Sequence, residues 1–73
     1  MSAPPETTVD ALIFSLLSRG LAALSEHTTK QRLSQLSKSQ VANVIVRLHR
    51  LRGKYPAVTD QMIARVGDVY EDG

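Results

Sequence analysis

Apolar residues recur along this chain every three or four positions, the spacing that places them on one face of an α-helix. The first such stretch follows Thr8 and contains Val9, Leu12, Ile13, Leu16 and Leu17. Thr8 has the side chain of an N-cap residue, Asp10 suits the first turn, and Gly20 is a typical stop. The pattern therefore predicts a helix over residues 8–19.

Phe14 lies just off this apolar arc, beside Leu17. The alternatives are a core residue and an exposed anchor. Because large aromatic side chains contribute much of the buried area in small proteins, we expect Phe14 to extend the core.

The middle of the chain contains signals for three further helices. A short helix is predicted over 21–26. Thr28 followed three residues later by Gln31 matches a capping box and predicts a helix over 29–36. Ser37 with Gln40 repeats that signature and predicts the longest helix, over 38–52, which Gly53 would terminate.

A last helix is predicted over 59–70, with Thr59 as its cap. Its apolar arc consists of Met62, Ile63, Val66, Val69 and Tyr70. Gly67 borders this arc and would permit the close approach of a neighbouring helix. No segment shows the alternation or turn dipeptides of strands. The sequence thus predicts an all-α protein: one small domain over 8–73, a bundle of four to five short helices, preceded by a disordered tail over 1–7.

Charge is unevenly distributed along the chain. Nine Lys and Arg residues against seven Asp and Glu residues give a net charge of +2. No acidic residue lies between Glu26 and Asp60, a stretch that contains Lys30, Arg32, Lys38, Arg47, Arg50, Arg52 and Lys54. Such a stretch is typical of proteins that bind nucleic acid or acidic protein surfaces. A solvated face that keeps a small domain soluble would show the same pattern.

The outward face of the 38–52 helix is the candidate partner-binding site. Asn43, Arg47 and Arg50 share this face, and Val46 falls among them. Arginines around an exposed apolar residue are typical of small protein interfaces, although single exposed valines are also common. We expect the site to comprise Asn43, Val46, Arg47, Arg50, Arg52 and Lys54.

The sequence lacks the motifs of catalysis. There is no Cys, no Gly-x-Ser-x-Gly nucleophile, no glycine-rich phosphate loop and no paired acid–base carboxylates. His27 and His49 lie on different predicted helices, so no metal site is expected. We therefore expect a binding protein, not an enzyme, without a cofactor.

The composition also bears on location. The longest apolar run is too short to span a membrane, and the acidic, Lys- and Arg-free first ten residues do not resemble a signal peptide. We expect a cytoplasmic protein that does not bind membranes, more readily a monomer than a dimer.

Residues 29–53 resemble a helix-turn-helix. The segment 36–41, with Val44 and Leu48 after it, is similar to the turn and recognition helix of MarR-type regulators. The resemblance implies that Ser39, Gln40, Asn43 and Arg47 would face DNA in a dimeric regulator. Ser34 and Gln35 depart from the Leu-Gly pair that this family has before the turn.

Taken as a whole, the small Cys-free chain with its basic helical middle resembles the phage-encoded transcription regulators that bind host RNA polymerase, of the kind found in a lytic Xanthomonas phage. The resemblance rests on size and overall character and assigns no individual residue. It implies binding near the amino terminus of the largest polymerase subunit and the flap region, displacement of the sigma factor, antitermination, and a location in the host cytoplasm. A DNA-binding helix-turn-helix regulator is the alternative.

Overall fold

The computed structural model describes residues 5–72 of the chain, in which five α-helices and no strand occur. The helices are α1 (Pro5–Arg19), α2 (Leu21–Leu24), α3 (His27–Ser34), α4 (Lys38–Leu51) and α5 (Asp60–Asp72). The prediction of a small all-α bundle is confirmed.

The start of α1 differs from the prediction. The helix begins at Pro5, not at Thr8, so residues 5–7 of the expected tail form its first turn, while residues 1–4 lie outside the described residues. Proline is well suited to the first turn, because its fixed φ is helical and its missing N–H has no intrahelical partner there.

The start of α3 also differs from the prediction. The helix begins at His27 after Glu26, whose backbone is extended as at an N-cap, so Thr28 lies inside the first turn and the capping box expected there does not form. Thr29 and Leu33, one turn apart, are almost fully buried.

The caps of the last two helices are confirmed. The Gln40 backbone N–H donates to Ser37 Oγ at 3.3 Å, and the Ser37 N–H donates to Gln40 Oε1 at 2.9 Å. Before α5, the Met62 N–H donates to Thr59 Oγ1 at 3.1 Å. Each cap satisfies backbone donors that the first helical turn leaves without partners, so both helices start where local sequence directs.

All five helices share one aliphatic core. α5 packs against α2, α3 and α4, and α1 packs against α2, α3 and α4. The buried apolar side chains are Val9, Leu12, Ile13, Leu16, Ala23, Leu24, Leu33, Leu36, Val41, Val44, Leu48, Val58, Met62, Ile63 and Val66. Val69 and Tyr70 are partly buried against this core, so the α5 arc packs as predicted.

The turn between α1 and α2 depends on a glycine. Gly20 has φ 58° and ψ −132°, a conformation open essentially to glycine alone. A Cβ at this position would lie 2.8 Å from the Ala57 carbonyl oxygen. The end of α1 therefore rests directly on the backbone of the α4–α5 connection.

Gly67 has no comparable role. No heavy atom lies within 4 Å of the position that a Cβ would occupy there. The prediction of a close helix approach at Gly67 is wrong, because this side of α5 faces open space.

We expect Gly20→Ala to destabilise the protein by at least about 1–3 kcal/mol, because it adds backbone strain and a clash with Ala57. Gly67→Ala is the matched control, and it should stabilise α5 by up to about 1 kcal/mol through helix propensity. Urea denaturation followed by circular dichroism measures both. Equal stability of the two variants would contradict the role assigned to Gly20.

Candidate functional site

The amphipathic helix α4 supplies the centre of the candidate site. Val41, Val44 and Leu48 are buried on its inner face, one turn apart from each other along the helix. Packing of these residues turns the intervening positions outward. Asn43 and Val46 are exposed, as the sequence predicts, and 48% of the Val46 surface is accessible.

Two of the expected contact arginines are engaged within the chain. Arg47 Nη1 lies 3.1 Å from Asp10 Oδ1, which joins α4 to α1. Arg52 pairs with Asp60 and so joins the end of α4 to the start of α5. All four side chains remain at least 40% exposed, so these pairs can be exchanged for contacts with a partner at little cost.

Arg50 and Lys54 differ from Arg47 and Arg52 in their ion pairing. Both are exposed, and neither has a carboxylate within 4 Å among the described residues. Arg50 also lies in the last turn of α4, where a cation is favourable to the helix dipole. These two residues therefore carry the uncompensated positive charge of the candidate site.

A second group of charged side chains lies between α3 and α5. Lys30 on α3 and Arg65 on α5 line a shallow pocket of about 240 Å³ with Val69 and Asp72. The end of α5 also contains Asp68 and Glu71. The Arg52–Asp60 pair joins the end of α4 to the start of α5. Near the end of α5, the Tyr70 hydroxyl donates to the carbonyl of Leu36, which precedes α4. The acidic end of α5 thus lies at the far end of α4 from Arg50.

Phe14 is not part of the core, so the prediction that it extends the core is wrong. It is 71% exposed, the most exposed of the large apolar side chains described. Asp10 and Ser18, one turn before and after it, are polar, so the row of α1 that contains Phe14 faces solvent. That polar row is the sequence signal that could have placed Phe14 outside.

The segment that resembles a helix-turn-helix does form two helices joined by residues 35–37. However, α3 packs mainly on α1, α2 and α5, and α4 packs mainly on α5 and α1. Of the side chains expected to face DNA, Gln40 is used in the α4 cap and Arg47 pairs with Asp10.

Neither a metal site nor a membrane span is found in the described residues. No group of three or more His, Cys, Asp or Glu side chains there could hold a metal ion. His27 and His49 are exposed. No helix between residues 5 and 72 has the length and apolar character needed to cross a membrane.

Comparison with known proteins does not name a family. No family model, no curated protein and no solved structure matches the chain.

We expect Asp10→Asn to change the free energy of unfolding by less than about 1 kcal/mol, because the Arg47–Asp10 pair is exposed. Leu48→Ala, in the core, is the control and should lose about 2–5 kcal/mol. Chemical denaturation compares the two. A loss for Asp10→Asn as large as that for Leu48→Ala would show that the pair is needed for folding.

Proposed function

We propose that this protein is a non-catalytic transcription regulator that binds an acidic surface of bacterial RNA polymerase through the outward face of α4. The observation that carries the proposal is the pair of uncompensated cations, Arg50 and Lys54, beside the exposed Val46. The phage regulators that the chain resembles supply the identity of the partner.

The composition of this face favours a protein partner. Arg50 and Val46 are one turn apart on a helix that the core holds in place, so their relative position is fixed before binding. Arginine beside an apolar side chain is typical of interface centres, where guanidinium groups form bidentate pairs with carboxylates. A rigid surface of this kind loses little conformational entropy on binding.

Binding alone would be sufficient for regulation. A protein that occupies polymerase surface used by a sigma factor lowers initiation by competition, without any chemical step. An interface of about 600–800 Å² per partner, near the lower end of stable complexes, is within reach of so small a domain. Persistence on the elongating enzyme would account for antitermination.

Direct DNA reading is less well supported by the contacts of α4, because the Gln40 side chain is engaged in the cap of that helix. A single recognition helix also binds DNA weakly unless the protein dimerises.

We expect the double variant Arg50→Ala/Lys54→Ala to bind purified bacterial RNA polymerase at least about tenfold more weakly, a change of about 1.4 kcal/mol. The loss should be largest at low salt, because charged contacts are screened. Surface plasmon resonance with nuclease-treated polymerase measures the affinity, and circular dichroism confirms folding.

Lys30→Ala/Arg65→Ala is the matched control, since it removes one lysine and one arginine from another part of the surface. Its affinity should stay within about threefold of the parent protein, less than 0.7 kcal/mol. Equal weakening by both double variants would indicate a general charge effect. Binding to duplex DNA, with none to polymerase, would instead support the helix-turn-helix alternative.

A further inference from the structure

We propose that Phe14 is a second anchor of the same binding surface, and that the partner element covering it is an acidic amphipathic helix that lies along α1 and α4. This inference rests on the proposed function, because it names the chemistry of the partner at that site. It adds a residue on a different helix from those that the sequence indicated.

Two contacts fix how α1 lies against α4 and the turn after it. The first is the Asp10–Arg47 pair, and the second is the packing of Gly20 on Ala57. The two contacts are ten residues apart along each segment, from Asp10 to Gly20 and from Arg47 to Ala57. The part of α1 from Asp10 to its end therefore lies alongside the end of α4 and the connection that follows it, in the same general direction.

Phe14 lies between the two contacts, one turn after Asp10 and on the same flank of α1. On α4 the corresponding turn after Arg47 contains Arg50, which faces solvent. Val46 lies one turn before Arg50 on that outward face. Phe14 and Arg50 each lie one turn beyond the Asp10–Arg47 pair, and Val46 precedes Arg47 in α4. We term these five residues the α1–α4 surface.

The apolar part of this surface is unusual for so small a protein. The chain has a single Phe, yet the core is aliphatic and leaves that Phe 71% exposed. Burying a phenyl ring stabilises a complex through the hydrophobic effect. A partner that covers both Phe14 and Val46 therefore obtains hydrophobic stabilisation from both side chains.

The charges of the α1–α4 surface select among possible partners. Asp10 balances Arg47, so Arg50 and the nearby Lys54 leave an excess of two positive charges. A second copy of this chain presents the same excess of positive charge, so two such surfaces would repel each other. A partner that presents carboxylates is complementary.

The shape of the surface favours a helix as the partner element. Two helices side by side form a shallow groove, and amphipathic helices bind such grooves through residues at i, i+3, i+4 and i+7. Leucines at those positions would cover Phe14 and Val46, while flanking glutamates would pair with Arg50 and Lys54.

Three synthetic helical peptides of equal length test the proposal. The first has leucines at i, i+3, i+4 and i+7 flanked by glutamates, the second replaces the glutamates by lysines, and the third replaces the leucines by alanines. Titration into the ¹⁵N-labelled full chain should show binding of the first peptide alone. The amide signals of Phe14, Val46 and Arg50 and their neighbours should shift.

Phe14→Ala should weaken binding of the first peptide at least tenfold, and Phe14→Leu should restore most of the affinity. Since Phe14 is exposed, both variants should remain folded, as the ¹⁵N spectrum reports directly. Lys30→Ala/Arg65→Ala should leave the affinity within threefold. No binding of the first peptide, equal binding of the lysine peptide, or no effect of Phe14→Ala overturns the proposal.

Two further outcomes would assign the surface to other occupants. Concentration-dependent dimerisation in sedimentation, lost in Phe14→Ala, would assign it to a second copy. Displacement of the peptide by a single-stranded oligothymidylate would assign it to nucleic acid. Polymerase binding by the parent protein together with a negative peptide result would retain the proposed function and reject this inference. Peptide binding without polymerase binding would reject the proposed function and retain the acidic helix as the partner of this surface.

Discussion

A single aliphatic core, to which every helix contributes, is the constraint on which the rest of this structure depends. The two shortest helices cannot be stable alone in water, since isolated helices need about 12–15 residues even in favourable sequences. α2 has only four residues and α3 only eight. Each persists because its apolar side chains are buried against the others. The packing of Gly20 on Ala57 closes one end of this arrangement and positions α1 beside α4.

The candidate binding surface is a consequence of that core. Because α4 buries Val41, Val44 and Leu48, the positions on its opposite face, among them Asn43, Val46 and Arg50, are exposed. The Asp10–Arg47 pair then joins a second helix to this face. The result is a rigid surface in which Arg50 and Lys54 remain uncompensated and two apolar side chains remain exposed. This arrangement is the basis for the proposed binding to an acidic protein.

The sequence predictions that succeeded rest on interactions between residues close together in the chain. The caps at Ser37 and Thr59 were predictable because each joins atoms three residues apart, whatever the remainder of the chain does. The Thr28 cap did not form because the helix already begins at His27, and the extended backbone that an N-cap needs lies at Glu26. The predicted tail includes Pro5, although proline is also compatible with the first turn of a helix.

The sequence by itself determined the helical class, the basic middle and the outward face of α4, because apolar spacing and charge order are local properties of the chain. Only the tertiary structure decided which of the cations are balanced. Arg47 and Arg52 meet carboxylates that lie 37 and 8 positions away, and Arg50 and Lys54 meet none among the described residues. The exposure of Phe14 was likewise decided by packing, because a core built entirely from smaller aliphatic side chains left its flank of α1 uncovered.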